Sequence, residues 1–245
     1  MGIDYDRQAK RWKRNSPKHI TDFLIRSRVV GLMKKISKNK IVLDLGCGEG
    51  YVSRQLRNIP MKIIGVDSSE KMIELGRKQG GPLDIEYHVG DVRELKFLED
   101  NSIDVCMGNL ITNYFKPDEL FALYSEISRV LKKNGQFVIS MPHPVLYIPS
   151  IIGSKSYEVK DKDFDYVESR GKSFKIIIKT ISNEEFEVGI YHSTFEDHFK
   201  ALANAGLVVD MIEEPVVSNE LSEKHQLFSD LEGKAPYVIM KGFKI

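Results

Sequence analysis

The most constraining feature of this chain is an alternation that begins at Lys40. The apolar run KIVLDL, residues 40–45, leads into three glycines at every second position and then a helical pattern over about 50–58. The run MKIIGVD, 61–67, precedes the helical pattern SSEKMIELGRKQ, 68–79, in which Ser68 and Ser69 offer N-caps and Glu70 stands in the first turn. Strand-like runs recur at 84–91, at 102–110 and in QFVISMP; between the last two, Pro117 opens a helix that runs to Leu131. The order β-α-β-α-β-β-α-β predicts an α/β fold with a parallel sheet and helices on both faces. A chain of 245 residues is long enough for one large domain of this kind.

The flanks predict additions to that sheet. Tyr5, Ala9 and Trp12 fall at i, i+4 and i+7, one face of a short helix before Ser16-Pro17, and a second helix is expected over about 19–37. Residues 1–37 therefore read as an N-terminal helical lid and 38–143 as the core. Residues 144–192 read as an inserted lobe, in which FKIIIKT and EFEVGIY form a β-hairpin around Ser182-Asn183-Glu184. Residues 193–245 return to the sheet: a helix capped by Ser193 or Thr194 and ended by Gly206, then two closing strands that can pair antiparallel.

Gly46, Gly48 and Gly50, set between a strand and a helix, let a ligand touch main-chain amides. The dinucleotide fingerprint G-x-G-x-x-G is not met, because its last position holds Tyr51, and no Gly-Lys-Ser/Thr marks a P-loop. Asp44 and Glu49 would crowd a pyrophosphate with carboxylates, whereas a cationic ligand suits them. S-adenosylmethionine (SAM), with a sulfonium and an ammonium against one carboxylate, is such a ligand. Asp67 and Asp91 end the next two strands, at the carboxyl edge where open α/β sheets bind ligands. A carboxylate at Asp67 can take both ribose hydroxyls, and one at Asp91 can accept an exocyclic amine.

These segments together resemble a known family. VLDLGCGEG, GVDSSEKMIELGR, GDVREL and ISRVLKKNGQFVIS are similar to the motifs of the class I SAM-dependent methyltransferases, the Rossmann-like seven-stranded group, here of small-molecule type. The resemblance implies a sheet order 3-2-1-4-5-7-6 with the last strand antiparallel, and SAM as cofactor. It also implies roles. Gly46 and Gly48 would pass under the methionine portion, Asp44 would help to hold its ammonium, and Asn109 would offer a carbonyl nearby. Asp67 would bind the ribose with Ser68 and Met72 close by, Asp91 and Val92 would frame the adenine, and Arg28 would reach the carboxylate.

The acceptor side carries less signal. Displacement at a sulfonium methyl depends on positioning and desolvation, and needs a base only when the nucleophile arrives protonated. His143 and His192 stand at the active-site edge and at the return from the lobe, and are the candidate catalytic residues; the other histidines read as structural or exposed. Tyr5, Trp12, Tyr114 and Tyr147 are candidate walls of a substrate pocket. GNLITNYF lacks the Asn/Asp-Pro-Pro-aromatic motif of enzymes that methylate nucleic-acid amines. A net charge of +1 argues against a nucleic-acid partner, and the basic residues between 7 and 18 read as a solvated helix face. The expected reaction is methylation of an oxygen or nitrogen atom of a small-molecule substrate. RNA or protein methylation, with residues 7–18 as a docking arm, and a non-catalytic SAM-binding subunit remain as alternatives. Cys47 and Cys106 lack metal-ligand spacing, no secretory signal is evident and no apolar run would span a bilayer, so a cytoplasmic enzyme without a metal is expected. The oligomeric state has no signature in the chain.

Overall fold

The computed structural model describes Asp6, Ala9 and residues 12–79 and 85–245. Tyr5 and Asp84, both assigned above, lie outside the described residues. The main sheet is built from β1 (Ile41–Leu45), β2 (Lys62–Asp67), β3 (Ile85–Val89), β4 (Ile103–Asn109) and β5 (Leu131–Pro142). A smaller sheet holds β6 (Tyr157–Val159), β7 (Ser173–Lys179) and β8 (Glu185–Tyr191), and β9 (Leu207–Glu213) and β10 (Tyr237–Lys244) rejoin the first. The seven-stranded order is β3-β2-β1-β4-β5-β10-β9. Numbered within that sheet alone, it is the expected 3-2-1-4-5-7-6. The first five strands pair in parallel, and β10 runs antiparallel to both β5 and β9.

Helices cover both faces of the sheet because its central strands are apolar on both sides. Val42, Ile63, Val105 and Val138 face the side where Ile25, Val29 and Met33 pack. Those three recur every fourth residue through a π-helical turn, Asp22–Arg26, and α1 (Ser27–Ile36). Leu43, Ile64, Cys106 and Phe137, the alternate positions, face Leu123, Tyr124 and Ile127 of α4 (Leu120–Val130). Between these two helices lie α2 (Tyr51–Arg54) and α3 (Glu70–Gln79). After β5 come α5 (Tyr147–Ile151), α6 (Phe195–Asn204) and α7 (Asn219–Lys224). The Thr194 hydroxyl accepts from the Asp197 amide while the Asp197 carboxylate accepts from the Thr194 amide, a reciprocal cap that fixes the start of α6.

Several expectations needed correction. The helix after the glycine loop is a single turn, and the chain then bends through Asn58 at φ 77°. The lobe is a three-stranded sheet, because β6 adds to the expected hairpin through pairs such as Tyr157 with Ile178. Its inward residues Phe174, Ile176, Phe186 and Val188 are buried and join the core on the α1 side; each contributes about 1.5–3 kcal/mol of burial. The polar stretch between β9 and β10 holds α7 and a 3-10 segment, Gln226–Leu231, whose Phe228 and Leu231 are fully buried. Among the described residues, no helix is long and apolar enough to cross a membrane and no His/Cys/Asp/Glu group could hold a metal ion.

Candidate cofactor and acceptor site

A cavity of about 450 Å³ opens at the carboxyl edge of the parallel strands, a size suited to a small molecule. Asp44, Gly46, Gly48, Asp67, Ser68, Met72, Asp91, Val92 and Asn109 all line it, and so do Trp12, Tyr114 and Tyr147.

Asp44 reaches the cavity from the most enclosed strand, where it pairs in register with Gly65 of β2 and Met107 of β4. Its carboxylate accepts from the Ser53 hydroxyl of α2 at 2.6 Å. Burial, together with the nearby Asp67, pushes its pKa up to about 7 against the relief from Ser53. Burial also raises the Asp67 carboxyl, although the amides of Ser69 and Gly48 donate to it at 2.9 and 2.8 Å. Among the described residues, no lysine or arginine pairs with either acid. One buried and one half-buried carboxylate, neither with a counter-charge among the described residues, are chemically suited to a cation.

The loop above them is shaped for close approach. Gly46 sits at φ 65°, and a Cβ there would lie 2.5 Å from Ile111 Cδ1. Residues that line the cavity carry buried polar atoms with no hydrogen-bond partner among the described residues, among them Nε of Arg14, Nε2 of His19, Nδ2 of Asn109 and Oδ1 of Asn113. Asp91 differs from the other two acids. It is exposed, and Arg93 donates to both its oxygens, at 3.0 Å from Nε to Oδ1 and 2.6 Å from Nη2 to Oδ2.

Arg28 does not reach the cavity. It lies on the exposed side of α1 and pairs with Glu213 of β9 at 2.5 Å. Arg26, about 200° away around a helix, faces the cavity instead. Arg26 and Arg14 hold Asp22 between them at 2.7 and 3.0 Å, and Arg14 also stands 3.8 Å from Glu49 and over the Tyr51 ring. Although burial opposes it, the two arginines keep Asp22 below the ordinary carboxylate range. Burial and Arg26 bring Arg14 down to about 10, so it remains a cation at neutral pH. Arg14 is thus buried, not part of a solvated face. His19, read from sequence as structural or exposed, lines the cavity in a mutual stack with Trp12 and Phe186. Burial and Arg14 bring it down to about 3, and it is neutral.

Neither candidate catalytic histidine lines this cavity. Nδ1 of His143 accepts from the amides of Val145 and Leu146, and its Nε2 meets Glu214 at 2.7 Å, so the ring organises the turn into α5. His192 meets the Tyr166 carbonyl through Nε2 at 2.8 Å, and burial lowers its pKa. Both line a separate small void of about 30 Å³. The residues that sequence reasoning missed are Arg14, His19, Arg26, Tyr191 and Tyr237. Tyr237 had a signal: the first residue of an antiparallel strand lies at the carboxyl edge of its parallel neighbours. The spacing Asp22 to Arg26, one helical turn, was the signal for the buried ion pair.

Residues 42–135 match the model of a methyltransferase domain family. The fold extends the likeness to nearly the whole chain. A crystal structure of a SAM-dependent methyltransferase from Mesorhizobium loti superposes with a TM-score of 0.65 at 20% identity, over 89% of this chain and 96% of that one. Residues 42–135 carry a methyltransferase domain, and the whole fold is that of a SAM-dependent methyltransferase structure. The likeness also appears in sequence. An uncharacterised protein of Haemophilus influenzae is 25% identical over 95% of this chain and 91% of its own length. The ubiquinone biosynthesis O-methyltransferase of Pelagibacter ubique is 31% identical over 56% of this chain and 55% of its own length. SAM is the cofactor of this methyltransferase domain, and the unpaired carboxylates and the glycine cradle fit it.

Proposed function

We propose that this chain transfers the methyl group of SAM to an oxygen or nitrogen atom of a small molecule. The observation that carries the acceptor size is the roof of the cavity. Lys18, at the end of the N-terminal segment, pairs with Glu184 of the lobe at 2.7 Å, and its carbonyl accepts from the Ile181 amide at 3.1 Å. Trp12 stacks on Phe186 of β8 at 4.8 Å between ring centroids. The N-terminal segment and the lobe therefore meet above the site, a cover that suits a small acceptor and obstructs a folded RNA or protein surface.

In this reading, Asp44 and Asp67 supply the negative charge for the cationic end and the ribose of the donor. Gly46 and Gly48 keep the main chain thin beneath it. Met72 and Val92, both buried in the cavity lining, would pack beside its base, and Arg26 with Arg14 would face its carboxylate. Bound there, SAM supplies a methyl group on a sulfonium, whose C–S electron pair stays on sulfur as an acceptor lone pair takes the carbon and the acceptor proton passes to water. The chain's own residues orient and desolvate the two partners, which is most of what such a displacement requires. The Pelagibacter relative, an O-methyltransferase of ubiquinone biosynthesis, supports a small-molecule acceptor. The docking-arm alternative draws less support, because Arg14 is buried against Asp22 and Lys18 is paired with Glu184 of the lobe.

The test is incubation with methyl-labelled SAM and a cellular extract, fractionated into metabolites, RNA and protein. Label in a metabolite is the expected result. Label confined to RNA or protein overturns it.

A further inference from the structure

The loop after β1 carries three glycines, but only two of them face the cavity. Gly46 and Gly48 line it, and Gly50 does not. Gly50 sits at φ 79°, where the chain turns into α2, and a Cβ there would overlap the hydroxyl of Tyr87 on β3. Gly76 of α3 leaves room for the same ring, since a Cβ there would lie 2.8 Å from Tyr87 Cζ and 2.9 Å from its Cε1. At Gly65 of β2 the added atom would meet Cys47 Sγ at 3.0 Å and Tyr87 Cδ1 at 3.4 Å. A loop, a helix and a strand thus each omit a side chain where one ring passes.

The sheet register explains how the ring arrives there. Asp44 on β1 stands opposite Gly65 on β2, and Gly65 stands opposite Tyr87 on β3. Side chains in one such row share a face of the sheet. Tyr87 therefore extends over the empty position at Gly65 toward the loop, on the face that carries the Asp44 carboxylate. Its buried hydroxyl ends beside Gly50 and Arg54. Burial pushes that hydroxyl up to about 12, so the ring is neutral at neutral pH. Arg54 in turn donates to the carbonyl and the carboxylate of Glu49, between Gly48 and Gly50. The adjacent Ser53 donates to Asp44 at 2.6 Å. Tyr87 itself does not line the cavity.

We propose that Tyr87 is a positioning residue for the donor: its ring, seated among Gly50, Gly65 and Gly76, braces the glycine loop from behind and holds Gly48 and Asp44 in the arrangement that binds SAM. This rests on the cofactor assignment above. The third glycine of the loop then serves an internal ring rather than the ligand. Truncating the ring leaves a void behind the loop, and a methyl group at Gly76 forces the ring out of place.

The test uses the full chain titrated with S-adenosylhomocysteine by calorimetry, at a temperature where circular dichroism shows each variant folded. Tyr87→Ala should weaken binding at least tenfold, and Tyr87→Phe, which keeps the ring, should stay within threefold of the unmodified chain. Gly76→Ala should weaken binding at least threefold when Tyr87 is present and less than twofold in the Tyr87→Ala background. A residue that only stabilises the fold would lower the melting temperature, leave the dissociation constant of the folded protein unchanged and show no such coupling. Unchanged affinity in folded Tyr87→Ala overturns the proposal. An equal effect of Gly76→Ala in both backgrounds does so too, as does a loss in Tyr87→Phe as large as in Tyr87→Ala. If Tyr87→Ala does not fold, Tyr87→Leu takes its place with the same expectation and the same refutation. Failure of the unmodified chain to bind S-adenosylhomocysteine would instead overturn the cofactor assignment, so the two failures are separable.

Discussion

The backbone amide of Gly48 donates a 2.8 Å hydrogen bond to Oδ2 of Asp67. The other oxygen of that carboxylate accepts from the Ser69 amide at 2.9 Å. The glycine loop at the end of β1 and the acid at the end of β2 are therefore one hydrogen-bonded unit, and the acid both shapes the loop and lines the cavity. Asp67→Ala is expected to weaken SAM binding by about 1.5–3 kcal/mol, the range for a charge-assisted hydrogen bond. Isothermal titration would show this, and an unchanged dissociation constant in a folded variant would remove Asp67 from the site.

Asp44 gives the cavity a pH dependence. Its carboxyl titrates near 7 in the folded chain and near the ordinary value of 3.8 when unfolded. Between those two values the folded state holds a proton that the unfolded state has lost, so the Asp44 contribution to stability falls as pH rises from about 4 to about 7. Binding of a cation requires the ionised form. SAM affinity should therefore increase as pH rises through about 7, by up to about tenfold per unit below it. Titrations at pH 6 and 8 would test this, with Asp44→Asn expected to flatten the dependence.

Asp22 neutralises Arg14 and Arg26 in a buried cluster. Asp22→Ala would leave two buried guanidinium groups facing each other, and should destabilise the chain by about 3–5 kcal/mol. Urea denaturation provides the measurement. A loss below about 1 kcal/mol would mean that water or Glu49 compensates readily.

His143 and His192 act, on the geometry, as structural hydrogen-bonding residues. His143→Ala should cost about 1–2 kcal/mol of stability through the lost turn contacts while leaving the pH dependence of methyl transfer unaltered. His192→Ala should likewise leave it unaltered. A shifted pH–rate profile in either variant would restore that residue to the chemistry.

The strands and the glycine loop were legible because their signals are local. Ile41–Leu45 is a short, mostly apolar run followed at once by glycines, and Asp44, Asp67 and Asp91 each sit near or just past a strand's end, so parallel pairing alone brings them to one edge. Arg14 was not legible. Its neighbours in sequence are basic, and nothing local distinguishes it from exposed Lys13; only Asp22 and Glu49, brought from α1's approach and the glycine loop, explain why it is buried. Arg28 and Arg26 illustrate the same limit, since two arginines two residues apart differ in role only through which side of the helix the sheet covers. The histidines at positions 143 and 192 stood at the correct edge of the sheet, but both ring nitrogens of His143 are taken by nearby amides and Glu214, and Nε2 of His192 by the Tyr166 carbonyl.

By itself, the sequence determined the alternation of strands and helices and the acidic character of the glycine-loop site, because hydrophobic period, glycine placement and strand-end acids act over a few residues; the strand order came from the family resemblance. The tertiary structure alone decided what encloses that site. The rest of the cavity draws on β4, α5, the lobe and β10, segments up to 128 positions apart from Asn109 to Tyr237, which share one volume only because packing brings them together.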